Sequence, residues 1–84
     1  MVKLVYFAWV REKIGVSDEE IELPEGVTTA GDLIRHLKTL DEAHALALEH
    51  ETAIRVAVDQ EHVEHDEPIG HPREIALFPP MTGG

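Results

Sequence analysis

Two apolar stretches bracket this chain, and together they restrict its fold more than any other feature. Residues 2–10 are apolar except for Lys3 and rich in β-branched and aromatic side chains. Such a run predicts a strand apolar on both faces. Leu4, Tyr6, Ala8 and Val10 fall on one side of it, and Val5, Phe7 and Trp9 on the other. Residues 75–78 (Ile-Ala-Leu-Phe) form a second such run. A strand apolar on both faces belongs inside a sheet, so the two terminal strands are expected side by side at its centre. The right-handed crossover rule makes them parallel.

What lies between them fills in the rest. Residues 11–18 read as a polar connection turning at Gly15. Residues 19–23 read as an acidic edge strand, with Ile21 and Leu23 on one side, ended by Pro24-Glu25-Gly26. Thr29, with Asp32 three residues on, resembles a capping box opening a helix over 30–40. Leu33, Ile34, Leu37 and Leu40 form its apolar stripe. Residues 41–50 predict a second short helix with Ala43, Leu46 and Ala47 inward. Residues 53–58 predict a strand, Asp59-Gln60 a hairpin turn without glycine, and 61–63 a short return strand. Residues 64–74 form a polar connection broken by Pro68, Gly70 and Pro72. One main helix on a small mixed sheet with parallel central terminal strands is an α+β roll of the ubiquitin-like β-grasp type, a single domain over 1–84.

The last strand runs into Pro79 and Pro80, then Met81 and Thr82, then Gly83 and Gly84. Proline fixes φ and lacks an N–H, so the two prolines end the strand and hold its exit extended. The four residues beyond them reach roughly 13 Å at ~3.3 Å each. Glycine has no Cβ, so Gly83 and Gly84 fit a slot only as wide as backbone. A tail over 79–84 of this shape is expected to present an unhindered carboxylate for chemistry on the carboxyl group itself.

Size and charge bound the partners. A chain of 84 residues buries only about two-thirds of its unfolded surface, which leaves little room for an enclosed active site. A net charge of −10, from 17 acidic and 7 basic residues, repels phosphate backbones and anionic lipid. Nucleic acid and membranes are therefore poor partners, and a basic protein surface is the natural complement. There is no cysteine, which excludes disulfides, thiolate metal sites and cysteine nucleophiles. No signal-like start and no apolar run of ~18 residues is present, so a cytoplasmic location is expected.

The residues also carry a family likeness. Val5-Tyr6-Phe7-Ala8 followed by Arg11-Glu12 and Gly15, the stretch 56–60 (Val-Ala-Val-Asp-Gln), and above all 74–84 resemble the molybdopterin synthase small subunits, a family of sulfur carriers. The likeness spans the chain in length and element order. The chain departs from the family's pattern at Asp59, often Asn; at His71-Pro72-Arg73, commonly an acidic glycine-containing turn; and at Trp9, often polar.

The resemblance implies that an E1-like adenylating enzyme couples the Gly84 carboxylate to AMP, and that a sulfur donor protein then leaves a thiocarboxylate there. It further implies that the tail enters the large catalytic subunit and gives its sulfur to a cyclic pyranopterin during molybdenum cofactor synthesis. On this reading the chain is no enzyme on its own. It is the non-catalytic, sulfur-donating subunit of a sulfurtransferase complex, with no resident cofactor and only transient AMP and sulfur on Gly84. Gly83 and Gly84 carry the chemistry. Pro79, Pro80, Met81 and Thr82 contact the partner.

Because one helical layer covers one sheet face, the other is left for a partner or for loops such as residues 41–50. If Leu4, Tyr6 and Leu77 face the helix, Phe7, Trp9 and Phe78 form a docking patch beside the tail. His62-Val63-Glu64-His65 invites a metal reading, but strand alternation sends the two histidines to opposite faces, and no metal site is expected. His36, His44 and His50 are expected at the surface, and Glu19, Glu20 and Glu22 on a solvated edge. Two other roles suit a diglycine end: a ubiquitin-like protein modifier joined to target lysines, and a carrier for thiamin thiazole synthesis, whose members are usually shorter and lack the Phe-Pro-Pro approach. A plain interaction domain with an inert tail is a further alternative.

Overall fold

The computed structural model describes residues 1–80. The tail positions Met81, Thr82, Gly83 and Gly84 lie outside the described residues. Five strands form one mixed sheet: β1 (Val2–Tyr6), β2 (Asp18–Ile21), β3 (Arg55–Val58), β4 (Glu61–Val63) and β5 (Glu74–Phe78), in the spatial order β2-β1-β5-β3-β4. The two terminal strands are adjacent and parallel, with Leu4 opposite Ile75 and Tyr6 opposite Leu77. The remaining pairs are antiparallel. This is the β-grasp arrangement that the doubly apolar strands imply.

Three helices complete the described fold: α1 (Ala8–Ile14), α2 (Ala30–Lys38) and α3 (Glu42–Ala47), with a short 3₁₀ turn at Glu51–Ala53 before β3. One face of the sheet supplies Val2, Leu4, Tyr6, Val56, Ile75 and Leu77 to the core. Val10 of α1, Leu33, Ile34 and Leu37 of α2, and Ala47 and Leu48 at the end of α3 pack into the same cluster. Helix α2 begins as its sequence says. The Thr29 hydroxyl accepts from the Asp32 N–H at 3.1 Å, and Asp32 Oδ2 accepts from the Thr29 N–H at 3.2 Å. Those N–H groups of Thr28 and Thr29, then Arg35, hold the Asp32 carboxyl well below the usual carboxylate range.

The first apolar run is not one long strand. It breaks after Tyr6, and residues 8–14 form α1 where a strand end and a polar connection were expected. The Phe7 carbonyl accepts from the N–H groups of Val10 and Arg11 at 3.1 and 3.3 Å, which starts the helix. Ala8 takes up the change of direction at φ 53°. Gly15 ends the helix at φ 97°, and its N–H donates to the Arg11 carbonyl, so the expected turn glycine is a helix C-cap. The signal was available: Val10 and Ile14 are four apart, with Arg11, Glu12 and Lys13 between them and glycine just after.

Other faces moved as well. Leu40 and Leu46 are exposed rather than inward, because α2 stops at Lys38 and α3 turns Ala47 and His44 into the core.

The hairpin is as expected. Asp59 and Gln60 sit at φ 47° and 72°, the left-handed pair that a two-residue turn requires. Asp59 also ties the hairpin to β5. Its N–H donates to the Glu74 carbonyl at 2.8 Å, and its Oδ1 accepts from the N–H groups of Arg73 and Glu74, both at 3.0 Å. The turn thereby clamps the start of β5, the strand that leads to the tail. Asp59→Ala is expected to cost about 1–2 kcal/mol in urea unfolding, from two lost hydrogen bonds and a left-handed β-carbon. Asp59→Asn, which keeps the oxygen and tolerates the backbone, should stay within about 0.5 kcal/mol of the parent. Equal losses in both would show that the carboxylate charge, not the clamp, is what matters.

Candidate functional site

The site is built from the end of β5 and the sheet face that the helices leave open. Along β1, β5 and β3, side chains alternate between faces. Those not in the core are Lys3 and Val5, then Glu74, Ala76 and Phe78, then Arg55 and Ala57. The register pairs Val5 with Ala76 and Ala76 with Ala57 on this face, and Phe78 with Arg55. All the apolar members are only half-buried. The result is a shallow apolar strip along the centre of the sheet, with Lys3 and Arg55 exposed on it, leading toward Pro79 and Pro80. Both prolines are half-buried.

Phe7 and Phe78 come together as expected. Their rings meet edge to face, with centroids 6.5 Å apart at 84°, a favoured aromatic geometry. Phe7 is 47% exposed. Its N–H donates to the Leu77 carbonyl at 3.2 Å, extending the parallel pairing by one residue beyond β1. Trp9 is not placed by strand alternation. It lies in the first turn of α1, half-buried against the core cluster, with the Lys13 ammonium 5.3 Å from its ring centroid. The expected grouping of Phe7, Trp9 and Phe78 on one strand face is therefore corrected to a Phe7–Phe78 pair, with Trp9 on the helix that follows. Gly83 and Gly84, with Met81 and Thr82, fall outside the described residues.

Two polar features differ from expectation. Glu19 is not a solvated edge charge. It shares the inward parity of Ile21 and sits opposite Leu4, where its Oε2 accepts from the Tyr6 hydroxyl at 2.5 Å and meets His44 Nε2 at 2.7 Å. His44 is buried rather than on the surface. The alternation of Glu19, Ile21 and Leu23 carried the signal for Glu19, and nothing local carried it for His44.

Strand β4 ends at Val63, so only His62 of the histidine motif lies on it and His65 falls in the turn beyond. His62 is exposed opposite Ala57, whereas His65 is half-buried and its Nε2 donates to the Ile54 carbonyl at 2.6 Å. Among the described residues, no group of three His, Cys, Asp or Glu side chains is arranged to hold a metal ion. No helix among them is long and apolar enough to cross a membrane.

Comparison with known proteins adds a consistent result. The model of the ThiS family matches residues 4–84. The chain is 37% identical over 84 residues to the molybdopterin synthase sulfur carrier subunit of Escherichia coli (strain K12), covering 100% of both. Its fold superposes with a TM-score of 0.72 on a Pyrococcus furiosus protein described as molybdopterin converting factor, subunit 1, at 34% identity, covering 95% of this chain and 97% of that one. Small archaeal modifier protein 1 of Haloferax volcanii is similar at a TM-score of 0.69 and 27% identity, covering 95% and 97% of the two chains.

Proposed function

Since the chain belongs to the ThiS family and groups there with the molybdopterin synthase sulfur carrier subunits, we propose that it carries sulfur as a thiocarboxylate on Gly84. The observation that carries this reading is the 37% identity over the whole of both chains with a protein of that name.

The chemistry follows from the carboxyl group. A carboxylate is a poor electrophile until it becomes a mixed anhydride. An E1-like enzyme joins the Gly84 carboxylate to the α-phosphate of ATP and releases pyrophosphate. The terminal sulfur of a donor protein's persulfide then attacks the acyl carbon. The C–O bond to AMP breaks, a C–S bond forms, and AMP leaves with the electron pair. A second thiol cleaves the S–S bond to the donor, leaving a disulfide there and the thiocarboxylate on Gly84. The thiocarboxylate is a good sulfur nucleophile at neutral pH. Within the large subunit it attacks a cyclic pyranopterin, and water then cleaves the acyl–sulfur bond, leaving the sulfur on the pterin and regenerating the Gly84 carboxylate. Two charged carriers supply the two sulfurs of the dithiolene. The acid–base groups come from the partners, and the carrier supplies reach, a narrow tail and a docking surface. No resident cofactor is needed: AMP and sulfur pass through Gly84 as transient adducts, in the cytoplasm.

The fold supports this division of labour. Strand β5 is held between β1 and β3, so the origin of the tail is rigid. The open apolar strip with Phe7 and Phe78 lies at that same end and suits the large subunit. The likeness to an archaeal modifier protein favours one second reading, conjugation of Gly84 to lysines of other proteins.

The test is the intact mass of the protein after incubation with an adenylating enzyme, ATP and a sulfur source. A gain equal to replacing one oxygen by sulfur, localised to Gly84, is expected. An unchanged mass, with an enzyme proven on another carrier, refutes the reading. Isopeptide conjugates in extracts, lost without Gly84, would support the second.

A further inference from the structure

We propose that His44 is held in the folded chain as an imidazolium clamped between Asp41 and Glu19, and that loss of its proton loosens the 41–48 segment from the β1–β2 side of the sheet. The side chain of His44 is 8% exposed, and each of its ring nitrogens lies 2.7 Å from a carboxylate oxygen, Nδ1 from Asp41 Oδ1 and Nε2 from Glu19 Oε2. Ionised carboxylates only accept hydrogen bonds, and a neutral imidazole has a single N–H. A neutral ring would therefore set one lone pair against an oxyanion. Only the doubly protonated ring donates to both.

The surroundings point the same way. Glu19 Oε2 also accepts from the Tyr6 hydroxyl, and Tyr6 is buried at the centre of the sheet, its ring edge-on to His44 with centroids 6.3 Å apart. Asp41 Oδ1 accepts from the His44 backbone N–H at 2.8 Å as the N-cap of α3. One ring thus ties together β1, β2 and α3. The titratable groups that face it are Glu19 from β2, Asp41 from its own N-cap and the Tyr6 hydroxyl from β1. Arg11, Glu12 and Lys13 of the neighbouring α1 are exposed and form no ion pair with it. Arg35 and Lys38 of α2 pair with Asp32 and Glu51.

Burial by itself pulls the His44 pKa down, but the hydrogen bonds and charges of Glu19 and Asp41 more than reverse this, so it lies above the usual histidine value. Burial, then the bond to Glu19, pushes the Tyr6 hydroxyl well above its ordinary range, so it remains a donor. The sign follows. A folded-state pKa above the unfolded value stabilises fully below the unfolded value of about 6.5, and the gain is lost as pH rises through the folded one. In that window an opening step that frees the ring gains up to about tenfold per pH unit.

The α3 segment is the part that opens. It is six residues long, too short to persist unsupported, and the clamp is its polar tie to the sheet.

The experiment is NMR on the full chain. At pH 7 both ring nitrogens of His44 should show attached protons, and one should be lost at a pH above that of an exposed histidine. In the same pH window, hydrogen-exchange protection of the Ala45 and Leu48 amides, which bond the Asp41 and His44 carbonyls, should fall by up to about tenfold per pH unit, while Leu77 holds. His44→Gln should abolish that slope. A ring that is neutral at pH 7 overturns the proposal, and so does a charged ring whose loss of a proton leaves Ala45 and Leu48 as protected as before. The first readout uses the unaltered protein, so a variant that fails to fold does not decide the matter.

Discussion

Deleting Gly83 and Gly84 is expected to abolish thiocarboxylate formation and sulfur transfer while leaving Tm within about 2 °C of the parent, less than ~0.5 kcal/mol for a domain this size. The two effects separate because the described fold and the proposed chemistry occupy different parts of the chain. Among the described residues, the last to enter the buried core is Leu77. The polar clamp on β5 lies still earlier, at Asp59, Arg73 and Glu74. Both lie within the described residues, ahead of the tail. The proposed reaction, in contrast, takes place on the Gly84 carboxyl carbon. Shortening by two residues also withdraws ~6–7 Å of reach and puts Thr82, a β-branched residue, where the proposal needs bare backbone. Calorimetry and intact mass on the same sample check both halves. Retained sulfur loading would refute the carrier assignment of Gly84. A large fall in Tm would show the tail to be structural.

Phe7→Asp is expected to weaken binding of the large synthase subunit at least ~30-fold, the scale of an aromatic hot spot worth 2 kcal/mol or more. Phe7 is 47% exposed and stands at the end of the open apolar strip, its ring against Phe78. A carboxylate there brings charge into the surface proposed to be desolvated on docking. The fold should tolerate the change unusually well. The contacts that make Phe7 structural are backbone ones, its N–H to Leu77 and its carbonyl to Val10 and Arg11. Losing the edge-to-face pair costs about 0.5–1.5 kcal/mol. Position 7 is also the N-cap of α1, where phenylalanine makes no side-chain cap and aspartate is among the best residues, so about 1 kcal/mol returns. Titration calorimetry against the large subunit, beside a melting curve, reads both. Binding as tight as the parent's, in a folded variant, would place the docking surface elsewhere.

Elements whose signals are local were legible in the residues, and those settled by distant partners were not. The capping box at Thr29 and Asp32, the turn at Asp59-Gln60 and the stripe of Leu33, Ile34 and Leu37 each lie within a few residues of one another. The strand–helix break at Phe7–Ala8 was missed because an apolar run carries no period until its element type is known. Residues 2–10 satisfy a strand template, while Val10, Ile14 and Gly15 satisfy a helix that no N-cap side chain announces. The error carried into the candidate site by putting Trp9 on the strand face beside Phe7. Leu40 and Leu46 were misplaced for the related reason that a stripe extended past the true end of a helix points at nothing.

The chain's own residues determined the parallel pair of terminal strands at the sheet centre, because runs apolar on both faces fit that position, one face in the core and the other in the half-buried strip, and they determined the composition of the tail. Tertiary structure alone decided what Glu19 and His44 do. Their side chains meet although they stand 25 residues apart, Glu19 between Asp18 and Glu20 and His44 between Ala43 and Ala45, settings that would suit solvent equally well. Whether a charged group is solvated or buried depends on whether the fold brings its counter-charge within hydrogen-bond distance, because an unpaired buried charge costs far more than the burial returns. That distance is a property of β2 and α3 packed together, and no window along either segment contains it.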